Sequence, residues 1–561
     1  MKHIKYVALL IFAILYFEGN TQEINKYWVF FTDKEGVEFD PYAYFDPLAI
    51  ERRKKQNLPL YDNSDLPLRE DYISFVENVV DSIKGHSRWF NAICVFASEE
   101  QIDKVKNLPC VKEIESIESN VQLAHRNEVD HLLEALDNGT NNAYINLVKS
   151  QTELMGISKM RENNWKGKGM RIAIFDAGFP NVDILDAFEH IRERNGIKAT
   201  FDFVKNNPEV YRFNAHGTMT FSCVAGMYKG IPMGFATDAE FLLARTERAT
   251  FEKFSEEEGW VMAAEWADKN GAHVINSSLG YTNKRYFQDQ MDGKSSLVSR
   301  AANKAAKKGM LVVNSAGNEG SGDWKIIGAP ADADSVLTVG GFNPWTGMHT
   351  EFGSYGPTAD GRMKPNVTAV SSVIAQGKNG YESTQGTSFS SPLVAGFAAA
   401  FWGANQELKV MEVFDEMCKS GHLFPYFDYA HGFGVPQAAA FFDTIAPSGE
   451  NPIHIVEGED EVFAYILPNY FVPHFGTFNI EGGDYFKHPD DSEYRTHSSV
   501  PLMEIPPFFY WHTESKDHQL REYHVIQLRN PDEYIMKWDK AKIKGKILRC
   551  YYRGNMYEKQ F

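Results

Sequence analysis

Cysteine is scarce in this chain. There are five in 561 residues, Cys94, Cys110, Cys223, Cys418 and Cys550, and no two form a C-x-x-C pair. So few thiols, odd in number, exclude a disulfide scaffold. Free buried thiols are the expected state, with a single bridge, Cys418–Cys550 for example, left open. No H-E-x-x-H motif occurs, nor any cysteine and histidine spacing typical of zinc. Positive charge is also in deficit: 57 Lys and Arg stand against 75 Asp and Glu, for a net charge of −18. Such a surface repels phosphate backbones, so nucleic acid is not an expected partner. Past the N-terminus no stretch is long and apolar enough for a membrane span, and stable membrane insertion is not expected. Internal repeats and low-complexity tracts are missing too. What remains is ordinary globular composition, 43% hydrophobic and 24% charged, in a chain long enough for roughly two to four domains.

The N-terminus reads as an export signal over 1–20. Lys2 and Lys5 precede the apolar run Val7 to Phe17, which is shorter than the roughly 20 residues a spanning helix needs. This predicts a secreted or exported protein, at the cell surface or in the periplasm if retained. Residues 22–120 follow, with strand-like runs at Tyr27 to Phe31 and Trp89 to Phe96 and a helical stretch near Ile102 to Leu108, the pattern of a small α+β domain. Residues 121–145, with Asp137-Asn138-Gly139, have linker composition suited to proteolytic processing. From 146 to 445, apolar runs alternate with helical stretches. The runs are Met170 to Phe175, Ala239 to Leu243, Ala272 to Ile275, Met310 to Val313 and Val336 to Val339. Strands apolar at every position are buried on both faces, so the expectation is an α/β domain with a doubly wound, mostly parallel sheet. Residues 446–561, rich in Tyr, Phe, His and Pro, read as a β-rich C-terminal domain.

Four segments carry chemistry. Arg171 to Asp176 is an apolar strand ending in a carboxylate, and a buried carboxylate needs hydrogen-bonding partners. Asn214-Ala215-His216-Gly217-Thr218 puts an imidazole at a helix start. Gln385-Gly386-Thr387-Ser388-Phe389-Ser390-Ser391-Pro392 puts a hydroxyl at the start of a helix over Leu393 to Trp402, with Pro392 in its first turn. There the positive end of the helix dipole favours an oxyanion. Each segment alone is unremarkable: a capping Asp, a structural His, a serine N-cap. Together, in the order Asp176, His216, Ser388, they supply a nucleophile, its base and the carboxylate that orients the base. The turn Ala316-Gly317-Asn318 after the run Val312 to Ser315 adds an amide that can donate to a developing oxyanion.

These residues resemble the subtilase family of serine peptidases over 150–445; HGT at His216 and GTSFSSP at Ser388 match its motifs closely. The resemblance implies a secreted serine endopeptidase made as a zymogen, acting on protein and peptide substrates through an acyl-enzyme. It also implies that Ser278, Leu279 and Gly280 form the edge that pairs with extended substrate, and that Ala316 and Gly317 wall the pocket before the cleaved bond. Ala177 departs from the family, which usually has Ser or Thr after the Asp. Residues 22–120, through Trp89-Phe90-Asn91-Ala92 and Gln101 to Ile114, resemble the inhibitor-type propeptide, so the chain's own prodomain is expected as an intramolecular inhibitor. The whole resembles secreted subtilases of Bacteroidetes-type bacteria. No cofactor is implied for the chemistry; the family often binds structural Ca²⁺, for which no acidic loop stands out. Two other outcomes share this scaffold, a non-catalytic binding protein and a peptide macrocyclase. A dinucleotide enzyme is excluded, because Gly167-Lys168-Gly169 precedes its strand instead of following it.

Overall fold

Strands apolar at every position can only be stabilised with cover on both faces, and that constraint shapes the centre of the molecule. The computed structural model describes residues 24–117, 141–248, 257–282, 285–442, 451–466, 501–516, 519–527 and 534–561. The export-signal stretch lies outside them, as does the linker up to residue 140; residues 141–145 open the helix Asn141–Glu153. The chain divides into two units, 1–40 with 61–119, and 41–60 with 120–561.

The first unit is a four-stranded antiparallel sheet of β1 (Asn25–Phe31), β2 (Ser82–Ser87), β3 (Ala92–Ala97) and β4 (Val111–Ser116), in the order β2-β3-β1-β4. The helices Glu70–Glu77 and Glu99–Lys106 complete it. Val29, Val76, Ile93, Val95 and Val105 form its core. The run from Trp89 becomes strand only at Ala92, because Asn91 takes a positive φ of 51° in the hairpin turn. Ser98 and Gln101 form a capping box that starts the helix at Glu99.

In the second unit, seven parallel strands form one sheet. They are β5 (Arg171–Asp176), β6 (Ile197–Asp202), β7 (Glu240–Arg245), β8 (Val274–Ser277), β9 (Leu311–Ser315), β10 (Val336–Phe342) and β11 (Val367–Val370), in the order β11-β10-β9-β8-β5-β7-β6. Each of the five apolar runs overlaps one of these strands, four of them starting one or two residues before it. The edge strand β6 went unrecognised in the sequence because it alternates, with Lys198 exposed. The helix α1 (Pro47–Lys55) belongs to this unit and is considered below. The helix α2 (His216–Ala225) leads out of the histidine segment. On the helix α3 (Glu257–Lys269), Trp260, Ala263, Ala264 and Ala267 are buried on one face, as their spacing predicts. The helix α4 (Leu297–Lys307) ends at Gly309, whose φ of +89° suits a C-terminal stop.

The helix α5 (Thr387–Ala404) crosses the sheet fully buried through Trp402. It starts at Thr387, earlier than the expected Leu393, so Pro392 lies inside it and not in its first turn. The C-terminal residues form a three-stranded and a four-stranded antiparallel sheet, with Trp511, Trp538 and Leu548 in their core. All five cysteines are free and buried, including Cys418 and Cys550.

Candidate active site

In an open parallel sheet, ligands bind beyond the carboxyl ends of the strands where the winding reverses. Here the reversal is at β5, whose neighbours are β7 on one side and β8 on the other. Asp176 is the last residue of β5 and Ser278 follows β8; Asn318 comes three residues after β9 ends at Ser315. Topology therefore gathers at one place residues far apart in the chain.

Asp176 is fully buried, and each of its oxygens is satisfied. Oδ1 lies 2.8 Å from Nδ1 of His216 and accepts the Ala177 N–H at 2.7 Å; Oδ2 accepts the Thr220 hydroxyl at 2.9 Å. Ala177 lacks the hydroxyl common at that position, but its backbone N–H and Thr220 still serve the carboxylate. Thr220 was missed in the sequence. Its signal was its place four residues after His216 on one helix, hence on the same face. Gly217 admits the close approach, since an added Cβ would lie 2.3 Å from Gly178 O and 2.9 Å from Asp176 Cβ.

His216 starts α2, its backbone N–H donating to Asn214 Oδ1 at 2.7 Å. Burial opposes charge on its ring, but the Asp176 carboxylate outweighs this and raises the imidazole pKa above its ordinary value. A further carboxylate, Glu247, follows the end of β7. Ligand-capable atoms of Asp176, His216 and Glu247 all lie within 4.8 Å of one another, the one such group among the described residues. Its strand-end position beside β5 was the available sequence signal.

Ser388 is the second residue of α5, and the His216 and Phe389 rings lie 5.7 Å apart. Ser388 Oγ donates to Ser278 O at 3.3 Å, and among the described residues no hydrogen bond joins it to His216. The Ser388 carbonyl would bond the N–H four residues on, but that residue is Pro392 and has none. The Ser278 hydroxyl takes its place, donating to Ser388 O at 2.8 Å. Ser278 thus holds the serine segment from both ends of one residue, a role the sequence did not reveal.

Asn318 Oδ1 accepts both the N–H and the hydroxyl of Thr387, each at 2.9 Å. Fixing that oxygen leaves the Nδ2 amide as the donor beside the start of α5, 3.5 Å from where a Cβ on Gly386 would stand. Of the expected substrate edge, Leu279 is buried and its carbonyl accepts from Asn314 Nδ2 at 2.9 Å, while Gly280 is exposed with open space over its Cα. Ala316 is buried against Ile327 and Ala331. Gly317 has a φ of +111° and approaches Ser354, whose N–H donates to its carbonyl at 2.9 Å.

The subtilase family profile matches residues 167–434, and the profile of the Bacteroidota peptidase S8 propeptide domain matches 26–131. Alkaline elastase YaB of Bacillus sp. (strain YaB) is 29% identical over 255 residues, covering 44% of this chain and 60% of that protein. Subtilisin DY of Bacillus licheniformis is 29% identical over 294 residues, 51% of this chain and 96% of that one. A crystal structure of a cold adapted subtilisin-like serine proteinase aligns with 49% of this chain and 89% of its own, at 21% identity and a TM-score of 0.39. The chain thus carries a Bacteroidota-type S8 propeptide domain ahead of a subtilase-family, subtilisin-like peptidase domain, and the latter holds all four motif residues.

Proposed function

We propose that this protein is an exported serine endopeptidase, made as a zymogen, that hydrolyses peptide bonds through an acyl-enzyme. The pairing of buried Asp176 with half-buried His216, 2.8 Å apart at the mouth of the sheet beside the start of α5, carries the reading. Ser388 Oγ attacks the peptide carbonyl as His216 takes its proton. Asp176 holds the ring tautomer and stabilises the imidazolium. The oxyanion is met by Asn318 Nδ2 and the backbone N–H of Ser388, supported by the helix dipole. His216 then protonates the leaving amine, and water cleaves the acyl-enzyme. In the free enzyme Ser388 Oγ rests on Ser278 O; substrate binding turns it to His216, in keeping with the looser catalytic hydrogen bonds of unliganded sites. Extended substrate pairs along 278–280. The chemistry draws on side chains and backbone donors and on no cofactor. The propeptide domain serves as intramolecular inhibitor until the chain is cut in 121–145.

The test compares the full chain with Ser388→Ala. Wild type is expected to process itself by intact mass, digest casein and label with a serine-directed fluorophosphonate; the variant is expected to do none of these. Equal behaviour of the two, with no labelling, would overturn the proposal.

A further inference from the structure

The stretch 41–60 lies inside the region matched by the propeptide profile, yet it packs as part of the unit that holds the peptidase domain. The chain leaves the first unit after Asp40 and returns at Tyr61. Between them, α1 buries Ala49, Ile50, Arg52 and Arg53, with Gln56 just beyond its end. This is the spacing of one helix face, but a face made largely of arginine.

That face meets the amino-terminal ends of the sheet strands, opposite to Asp176. Both arginines are 1% exposed and share one partner, Asp268 on α3. Arg53 grips it with two bonds, Nη1 to Oδ1 at 2.9 Å and Nη2 to Oδ2 at 2.8 Å, and Arg52 pairs with Oδ1 through Nη2. Among the described residues, the Asp268 carboxylate bonds to these two guanidiniums alone. Arg52 also donates to Ala272 O and, at 3.2 Å, to Lys308 O, carbonyls just past the ends of α3 and α4.

Gln56 donates to Gly309 O at 2.7 Å and accepts the Val410 N–H at 3.1 Å, capping the start of the helix Val410–Lys419. The backbone N–H of Asp46 caps Lys269 O at 2.8 Å. Three helices of the peptidase unit therefore end on donors and acceptors supplied from 41–60. The fit is steric as well: a Cβ on Gly271 would stand 2.8 Å from Leu48 Cβ, and one on Gly309 would stand 2.8 Å from Gln56 Nε2.

A propeptide that dissociated entirely would strip Asp268 of both counter-cations and open three helix ends at once. We propose that 41–60 is a permanent component of the mature enzyme. After cleavage in 121–145 it stays bound through Arg52 and Arg53, so that the active form consists of two polypeptides. The word mature rests on the zymogen reading above; the docking itself does not.

The experiment separates the two. Recognition sites for a sequence-specific protease are placed at the Gly36 turn, where an added Cβ would meet nothing within 4 Å, at 62–64 and within 121–140 of the full Ser388→Ala chain. After cutting, native gel filtration with intact mass on each fraction follows the fragment that holds 41–60. It is expected to elute with the peptidase chain in equal amount. In Arg53→Lys, which keeps the charge but loses the planar fork, its release is expected to be at least tenfold faster. Elution of the fragment at its own volume from the unsubstituted protein overturns the proposal, whether or not the remaining chain stays folded. Uncut Ser388-containing protein is run in parallel. If it never processes itself while the engineered fragment stays bound, the zymogen reading fails and the docking stands.

Discussion

Asp176 and Asp268 are both buried carboxylates at the ends of one parallel sheet, and the difference between them lies in their partners. Asp176 faces an imidazole, whose ordinary pKa of about 6.5 lets it exchange a proton in water. Asp268 faces two guanidiniums, which do not deprotonate in proteins. The first pair is 29% exposed on its histidine side; the second is sealed, at 1% and 2%. A buried carboxylate at the carboxyl ends of the strands is thus arranged to pass charge on. One at the amino ends is arranged to hold charge fixed. Burial and charge alone do not mark an active site; a titratable partner with access to solvent does.

The comparison breaks most sharply at Asp176. Asp176→Asn offers His216 an amide in place of an anion and selects the wrong tautomer. The kcat is expected to fall about 10⁴-fold with little change in thermal unfolding. The pH profile moves as well. As the proposed base His216 must be neutral to act, and Asp176 raises its pKa, so the wild-type rate is expected to fall as pH drops through a value above about 6.5. In the variant that midpoint shifts to lower pH. A profile that keeps its midpoint would break the link between Asp176 and the base.

Asp268→Asn is the mirror experiment. Removing one member of a buried ion cluster leaves two guanidiniums poorly paired, and the loss of stability is expected to be about 3–5 kcal/mol by urea unfolding. Turnover per folded molecule stays unchanged, which active-site titration beside casein hydrolysis reports. Lost turnover with an unmoved urea midpoint would reverse the assignment of the two ends.

On the proposed mechanism, Asn318→Ala removes a donor used only in the transition state. It is expected to lower kcat about 100- to 1,000-fold, the range known for this donor in subtilisins, with KM nearly constant. The Thr387 bonds also lost should show as a small drop in unfolding temperature, read separately by calorimetry.

The two ends of the sheet differed as much in legibility as in chemistry. Asp176, His216, Ser388 and Asn318 sit in short motifs where an apolar strand or a glycine turn meets polar residues, so local sequence exposes them. The central strands were legible because burial on both faces forces continuous apolar runs. The edge strands were not: β6 alternates apolar with polar residues that are mostly half-buried, and β11 is only four residues long with Thr368 within it. Least legible was Glu51-Arg52-Arg53-Lys54-Lys55. It is five charged residues in a row with no apolar position to mark a buried face, and only a partner far along the chain, Asp268, turns its two arginines into core residues. Thr220 lay in plain view by helical spacing, whereas Ser278 did not, since its role depends on a carbonyl freed by Pro392 in another segment.

That last dependence gives the smallest expected effect and the most specific test. The Ser278 hydroxyl bonds Ser388 O because Pro392 cannot. Ser278→Ala leaves the backbone of 278–280 free to pair with substrate, so KM should hold while kcat falls a few-fold, in line with about 0.5–1.5 kcal/mol for one net hydrogen bond. Ser278→Thr, which keeps a hydroxyl, should restore most of it. Pro392→Ala supplies an N–H to the same carbonyl from within α5. If Ser278 acts through that carbonyl, the cost of Ser278→Ala shrinks in the Pro392→Ala background, and a double-mutant cycle gives a nonzero coupling. A coupling of zero would mean that the Ser278 hydroxyl does not act through the Ser388 carbonyl.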